Sequence, residues 1–309
     1  MDISKENCGG GCLICNCTEY TSIFEYNQPD QYEQTVGVKE EGYARRWVQC
    51  KNCGFYYSLY SRDREILNKI YQASYRSQES SWRKNSPEEL FHIITALPLE
   101  ESETKSRVEW IKKNILSLWK GGIITEKTPP FNFLDIGGGN GVFAYEFGEE
   151  KPGKEKKWIP HVIDPDENAQ FLKSKLNMEF IQSEYKSGLF GKKFDLISLI
   201  YVLEHLTNPQ FFIENLIQDI NSDSLIYIEV PDALCFRFRP KTDDIFNSCH
   251  LWMFDSYTLI TFLNGWGLEV FCLNRVRPKR GHYALMALAG KKEREIKVLN
   301  SQDEKPWEK

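Results

Sequence analysis

One run, Phe133-Leu134-Asp135-Ile136-Gly137-Gly138-Gly139-Asn140-Gly141, constrains this chain more than any other feature. Its first half is apolar enough to be a buried strand. Its glycines then allow a tight turn and a close approach to the backbone, and a helical pattern follows at 141–149. Downstream the same alternation recurs. HVIDPD, MEFIQ, FDLISLIYV and SLIYIEV read as strands, and ENAQFLKSKL, PQFFIENLIQDI and SYTLITFLNGWG as helices. Strands alternating with helices predict a mostly parallel sheet covered on both faces. LEVFCLNRV and HYALMALAG, joined by the short RPKRG, predict a closing pair with the last strand antiparallel. Before this unit, helical spacing occurs over Glu88–Leu97 and Lys105–Trp119.

The turn sits where ligands bind in such folds, at the carboxyl end of the first strand. It fails the dinucleotide pattern, because Val142 stands where the third glycine belongs. Asp135 would also sit poorly beside a pyrophosphate. The spacing Asp135, Gly137, Gly139, Gly141 resembles instead the first motif of class I methyltransferases that use S-adenosylmethionine (SAM). That resemblance implies a Rossmann-like α/β fold, with these four residues around a cofactor that carries an ammonium and a sulfonium. Asp164, ending the second strand, is the candidate acceptor for the ribose hydroxyls. An N-cap or turn role is the alternative. Ser183, after the third strand, lies where such folds contact adenine.

The fourth strand and its exit, Phe194 to Pro209, resemble the F-D-x-I…V-L-E-H-x-x-x-P segment of small-molecule methyltransferases. This implies that Tyr201, Glu204 and His205 line the methyl-transfer pocket, with Tyr201 also near the cofactor. For Glu204, capping the next turn is an equal alternative. The segment lacks the N-P-P-[YF] element of enzymes that methylate nucleobase amino groups. His250 is the first candidate base for an acceptor hydroxyl, because histidine titrates near neutral pH; a packed loop histidine is the alternative. The connection from Pro231 to Phe254 reads as a lid over the pocket on its length. Arg237 and Arg239 within it either meet a phosphate of the acceptor or pair with Asp243 and Asp244.

Cysteine usage is the second strong feature. The chain holds nine cysteines, and no secretory signal that would favour disulfides. Cys12-Leu-Ile-Cys15 and Cys50-Lys-Asn-Cys53 form two C-x-x-C pairs separated by 34 residues. Four thiolates in two such pairs suit a closed tetrahedral Zn²⁺ with a structural role. Cys17 could replace Cys15, and Cys8 could be a bystander or a replacement ligand. The expected organisation is a small zinc-ribbon-like module with its following helix over 1–76, a helical lead-in over 77–130, a SAM-binding domain over 131–290, and a charged tail over 291–309.

Taken together, Cys12 to Gly290 resembles a bacterial methyltransferase family with an N-terminal zinc-binding module, including C-methyltransferases of nucleotide-linked deoxysugars. Two departures stand out. Cys249 precedes His250 where those enzymes have a glutamate, and the sequence lacks their further C-terminal domain. The expected activity is therefore SAM-dependent methyl transfer to a small polar acceptor, a sugar or nucleotide-linked sugar, on carbon, oxygen or nitrogen. The net charge of −5 gives no support for a long nucleic acid partner, and no apolar run is long enough to span a bilayer. The expected location is the cytoplasm. The rival readings are a zinc-finger RNA methyltransferase, a dinucleotide-dependent oxidoreductase and a non-catalytic zinc-ribbon scaffold.

Overall fold

The computed structural model describes residues 11–60, 66, 69–70, 85–149, 157–176, 178–279 and 281–292. Most of the helix expected over 61–76, the linker after it, Cys8 and the tail from 293 onward lie outside the described residues. Two β-sheets organise the rest.

The larger sheet is built from β4 (Phe131–Ile136), β5 (Trp158–Asp164), β6 (Glu179–Gln182), β7 (Phe194–Ile200), β8 (Ile220–Pro231), β10 (Leu268–Val276) and β11 (Ala284–Lys291). Its order is β10-β11-β8-β7-β4-β5-β6. β4 through β8 pair in parallel. β11 runs antiparallel to both β8 and β10, so it alone opposes the others. β4 has β5 on one side and β7 on the other, which makes its carboxyl end the point where strand order reverses and a ligand crevice opens.

Side chains alternate across this sheet as the pleat requires. Leu134, Ile136, Ile226, Ile228, Val230 and Leu285 join one core. Phe131, Phe133, Leu225, Tyr227, Met286 and Leu288 join the other. The second core is covered by α3 (Glu103–Lys120) and α4 (Val142–Gly148), with α2 (Pro87–Thr95) beside them. α3 presents Val108, Ile111, Ile115 and Leu118, a stripe at helical spacing, and starts at Ser102, whose hydroxyl accepts from the Lys105 amide. The first core is closed by Ile213 and Leu216 of α6 (Pro209–Gln218) and by Leu259, Phe262 and Leu263 of α8 (Ser256–Gly265). α5 (Phe171–Leu176) sets Leu172 into the second core.

The smaller sheet is antiparallel, with β1 (Tyr20–Tyr26), β2 (Arg45–Cys50), β3 (Tyr56–Tyr60) and, at its edge, β9 (Trp252–Met253). Sequence reading expected a ribbon between the cysteine pairs, but not the fourth strand, which comes from the far end of the chain. α1 (Gln31–Thr35) opens on a capping box made by Asp30 and Glu33. Glu33 is buried and accepts hydrogen bonds from the Tyr43 and Tyr60 hydroxyls. Arg45 is buried beside them, with Nε donating to the Tyr43 hydroxyl and Nη1 to the Phe246 carbonyl. Among the described residues, no helix is long and apolar enough to cross a membrane.

Candidate active site

The turn after β4 has three left-handed residues, Gly137 (φ 70°), Gly139 (φ 53°) and Gly141 (φ 69°). Only glycine takes that conformation without strain. A Cβ at Gly141 would stand 2.4 Å from Leu172 Cδ2, whereas one at Gly139 would meet nothing within 4 Å. The loop is thus pressed against the fold at Gly141 and open at Gly139. This is the form of a cradle that a ligand can approach at backbone distance, and it fits a SAM molecule laid over the turn.

Asp164 ends β5, fully buried. Its Oδ2 accepts from the Gly139 amide at 2.9 Å and its Oδ1 from the Asp166 amide at 2.8 Å. It therefore holds the open glycine of the cradle, a role the sequence reading had not given it. The Ser183 amide donates to the Asp164 carbonyl at 3.2 Å, which brings Ser183 to the same rim. Asp135 departs from the expectation of a carboxylate facing the cofactor's cationic groups. It is buried beneath the loop, where the Ser198 hydroxyl donates to its Oδ1 at 2.6 Å. Burial, with the Asp164 charge adding to it, pushes its pKa up to about 7.

The exit of β7 adjoins the turn, where a Cβ at Gly137 would stand 2.8 Å from Val202 Cγ2. Tyr201 has φ 54°, an uncommon conformation for a bulky residue, and its amide donates to the Glu229 carbonyl at 2.9 Å. Such backbone strain collects at functional sites. A single 3₁₀ turn, Leu203–His205, then brings Glu204 and His205 against His250. The His205 and His250 rings lie 4.8 Å apart between centroids. Nδ1 of His205 is 2.8 Å from the Cys249 carbonyl, and Nδ1 of His250 is 2.7 Å from the Ile245 carbonyl. A carbonyl only accepts, so each Nδ1 carries the hydrogen and each Nε2 keeps its lone pair in the neutral ring. Burial pushes the His250 pKa down to about 4, keeping it neutral. Glu204 is fully buried, and neither of its carboxylate oxygens has a hydrogen-bond partner among the described residues.

A second polar group beside Tyr201 escaped the sequence reading. Arg107 of α3 grips Glu229 of β8 in bidentate fashion, through Nε to Oε2 and through Nη2 to Oε1 at 2.7 Å. The Tyr227 hydroxyl adds a bond to Glu229 Oε2 at 2.5 Å. Burial works to raise the Glu229 pKa, but Arg107 and the tyrosine hydroxyls outweigh it, and the net shift is downward. The one available signal was a lone acid inside the apolar run LIYIEV.

The segment from Pro231 to Phe254 is not the free lid that its length suggested. Its base is closed by a bridge between Asp232 and Phe254. A short helix, α7 (Cys235–Phe238), and a 3₁₀ turn at Asp244–Phe246 carry it to β9. Ile245, Phe246, Ser248, Cys249, His250 and Leu251 are buried. Asp30 accepts from the Ser248 amide at 2.6 Å and hydroxyl at 3.0 Å, and the Tyr32 hydroxyl donates to Asp244 at 3.0 Å. The segment is a clasp fastened to the smaller sheet. Arg239 pairs with Asp243 at 3.5 Å, the solvated-pair alternative, and Arg237 is exposed.

The four cysteines of the two C-x-x-C pairs converge. Cys12 Sγ is 3.5 Å from Cys53 Sγ, and Cys15 Sγ is 3.5 Å from Cys50 Sγ. Thiolates around one tetrahedral Zn²⁺, with Zn–S near 2.3 Å, stand about 3.8 Å apart, so this donor set fits the ion. Cys17 stands apart, its thiol directed at the Glu19 carbonyl at 3.7 Å.

Comparison with known proteins agrees with this architecture. A family profile described as a methyltransferase domain matches residues 81–273. No curated protein matches the sequence. Among solved structures, a SAM-dependent methyltransferase from Clostridium acetobutylicum ATCC 824 is 9% identical, with TM-score 0.47, covering 66% of this chain and 98% of that one. Magnesium protoporphyrin IX methyltransferase from Synechocystis PCC 6803 is 14% identical, with TM-score 0.46, covering 74% and 100%. A 1,6-didemethyltoxoflavin-N1-methyltransferase from Burkholderia thailandensis is 16% identical, with TM-score 0.41, covering 68% and 92%. At such overlaps the assignment rests on the family match, which spans more than half of the chain, and on the glycine cradle at the switch point of the sheet. The chain belongs to the methyltransferase-domain family and is a SAM-dependent methyltransferase.

Proposed function

We propose that this methyltransferase acts on a small polar acceptor, a sugar or nucleotide-linked sugar, seated between the glycine cradle and the Tyr201–His205–His250 wall. The observation that carries this reading is the buried polar cluster at the β7 exit: the His205 and His250 imidazoles and a Glu204 carboxyl without a hydrogen-bond partner among the described residues. A hydroxylated acceptor supplies the hydrogen-bond partner that the Glu204 carboxyl lacks among the described residues. SAM supplies an electrophilic methyl group on a sulfonium. The protein's part is to hold the nucleophile in line and manage one proton.

In this reading Gly137, Gly139 and Gly141 let the backbone meet the cofactor, Asp164 adds the ribose contact and Ser183 flanks the adenine. Asp135 acts from beneath, holding the loop. Tyr201 borders both cofactor and acceptor, and His205 and His250 are the catalytic pair that receives the acceptor's hydrogen bond. Cys12, Cys15, Cys50 and Cys53 hold a structural Zn²⁺, which leaves no open position for a substrate. In this reading the units divide near residues 76 and 130, with β9 as the smaller sheet's borrowed strand.

Calorimetry with SAM tests the cofactor reading. A micromolar Kd, about −8 kcal/mol, is expected, and Gly139→Arg should abolish it by filling the cradle's open side. Equal binding by that variant would refute the cradle. For the acceptor, transfer of labelled methyl to a panel of nucleotide sugars, against small aromatic acceptors and RNA, should favour the sugars. Preference for either of the others would replace that part of the reading.

A further inference from the structure

Glu204, His205 and His250 offer three ligand atoms, one carboxylate oxygen and two ring nitrogens, all within 4.8 Å of one another. Each is of a kind that accepts. Both imidazoles spend their Nδ1 hydrogen on a backbone carbonyl, which turns the Nε2 lone pairs into the cluster. Ligating histidines in metalloproteins are oriented in this way. Between them the Glu204 carboxylate is fully buried with neither oxygen hydrogen-bonded among the described residues, a costly state for such a group. His205 Nε2 and Glu204 Oε1 are 3.9 Å apart, too far for a hydrogen bond. Three converging ligand atoms around a buried carboxyl without a hydrogen-bond partner define a site for a cation.

We propose that Glu204, His205 and His250 bind a divalent transition-metal ion beside the methyl-transfer pocket. Nitrogen donors favour Mn²⁺, Fe²⁺, Co²⁺ or Zn²⁺ over Mg²⁺ or Ca²⁺, and a two-histidine, one-carboxylate set leaves coordination positions open. Metal–ligand lengths near 2.1 Å bring tetrahedral ligand atoms to about 3.4 Å apart, so pairs standing as far as 4.8 Å apart draw together by up to about 1.4 Å. The proposal rests on the acceptor-pocket reading above and revises one part of it: with the ion bound, the two Nε2 lone pairs go to the metal, and the acceptor's oxygens meet the imidazoles through the coordination positions left open. A metal here would also be distinct from one on the four thiolates, since the two donor sets share no residue.

The test is a Co²⁺ titration of the full chain as purified, followed by visible absorption, with SAM calorimetry on the same samples. Thiolate-bound Co²⁺ shows intense near-ultraviolet charge-transfer bands, whereas a nitrogen–oxygen site shows only weak visible bands. The wild type should bind one Co²⁺ with the nitrogen–oxygen signature. Glu204→Gln should weaken that binding at least about 100-fold, beyond the roughly 10–100-fold of an outer-shell change, and Cys53→Ser should leave it in place. Unchanged affinity in Glu204→Gln, or a wild-type spectrum with thiolate bands alone or with no visible bands, would overturn the proposal. Should Glu204→Gln fail to fold, the wild-type spectrum decides alone. SAM binding without the nitrogen–oxygen site sinks only the metal, while absence of SAM binding sinks the cofactor reading whatever the metal does.

Discussion

Replacing Gly141 by alanine should separate what the glycine turn does for folding from what it does for the ligand. The residue sits at φ 69°, and an added Cβ would stand 2.4 and 2.8 Å from the two methyl carbons of Leu172, itself fully buried. The left-handed conformation costs a non-glycine residue about 1–2 kcal/mol. Forcing a methyl group against a packed core costs a further 1–3 kcal/mol or so. The expected loss is therefore about 2–5 kcal/mol, read as a fall in the urea midpoint by tryptophan fluorescence at unchanged slope. Leu172→Ala removes the obstructing methyls at its own cost of about 2–5 kcal/mol. In the double variant the steric part of the first cost disappears, so the pair should be less destabilised than the sum by about 1–3 kcal/mol. Gly139→Ala carries the backbone strain without the clash and should lose only about 1–2 kcal/mol. Strict additivity of Gly141→Ala and Leu172→Ala, or equal losses at Gly139 and Gly141, would refute this account of the turn.

Two further expectations concern buried charge. The Asp135 carboxyl keeps its proton to about pH 7 in the native state, through burial and the nearby Asp164 charge, while an unfolded aspartate loses it near pH 4. Between those values the native state binds more protons, so stability falls as pH rises and the loss is complete above pH 7. Asp135→Asn keeps an acceptor for Ser198 and should gain about 1–4 kcal/mol on the wild type between pH 4 and pH 8; parallel stability–pH curves would contradict this. Arg107→Leu leaves Glu229 buried without its cation and should cost about 3–5 kcal/mol in urea unfolding, most of it restored by adding Glu229→Gln. A loss under about 1 kcal/mol, the level of an exposed pair, would mean that the pair contributes as little as a surface contact.

The methyltransferase sheet was legible because its strands and helices each keep one period. Phe133-Leu134-Asp135-Ile136 alternates between two cores, and Ile213 and Leu216 return on one face of a helix. The cysteine pairs were legible because one residue type recurs at one spacing, C-x-x-C. Other features were hidden for physical reasons. β1, YTSIFEY, carries mixed polarity because its face is only partly covered. β9 has two residues, too few for any period. The Arg107–Glu229 pair joins positions 122 apart, a relation set by how α3 lies on the sheet and not by local pattern. The clasp was misread from length alone. Its content of Ile245, Phe246, Leu251, Trp252 and Phe254 already pointed to burial. Asp135 precedes the turn and Asp164 ends the neighbouring strand, but which side of the backbone each carboxyl occupies depends on hydrogen bonds made by Ser198 and Gly139, distant in sequence.

The fourth strand of the smaller sheet has a consequence for synthesis of the chain. β3 pairs with β9 through Tyr56–Met253 and Tyr57–Trp252, so one edge of that sheet stays open until residues some 190 positions later leave the ribosome. At about 5–20 residues per second that interval is roughly 10–40 s. During it, β3 presents unpaired backbone and the side chains of Tyr56 and Tyr57, the kind of edge that recruits strands from other nascent chains. Early metal capture by the cysteine pairs would shorten the hazard only on the β1–β2 side. The last step, docking of β9, both caps the edge and sets His250 in its place. Misassembly there would give a chain that retains its cofactor cradle yet turns over no acceptor, and slowing translation between residues 60 and 252 should raise the share of such molecules.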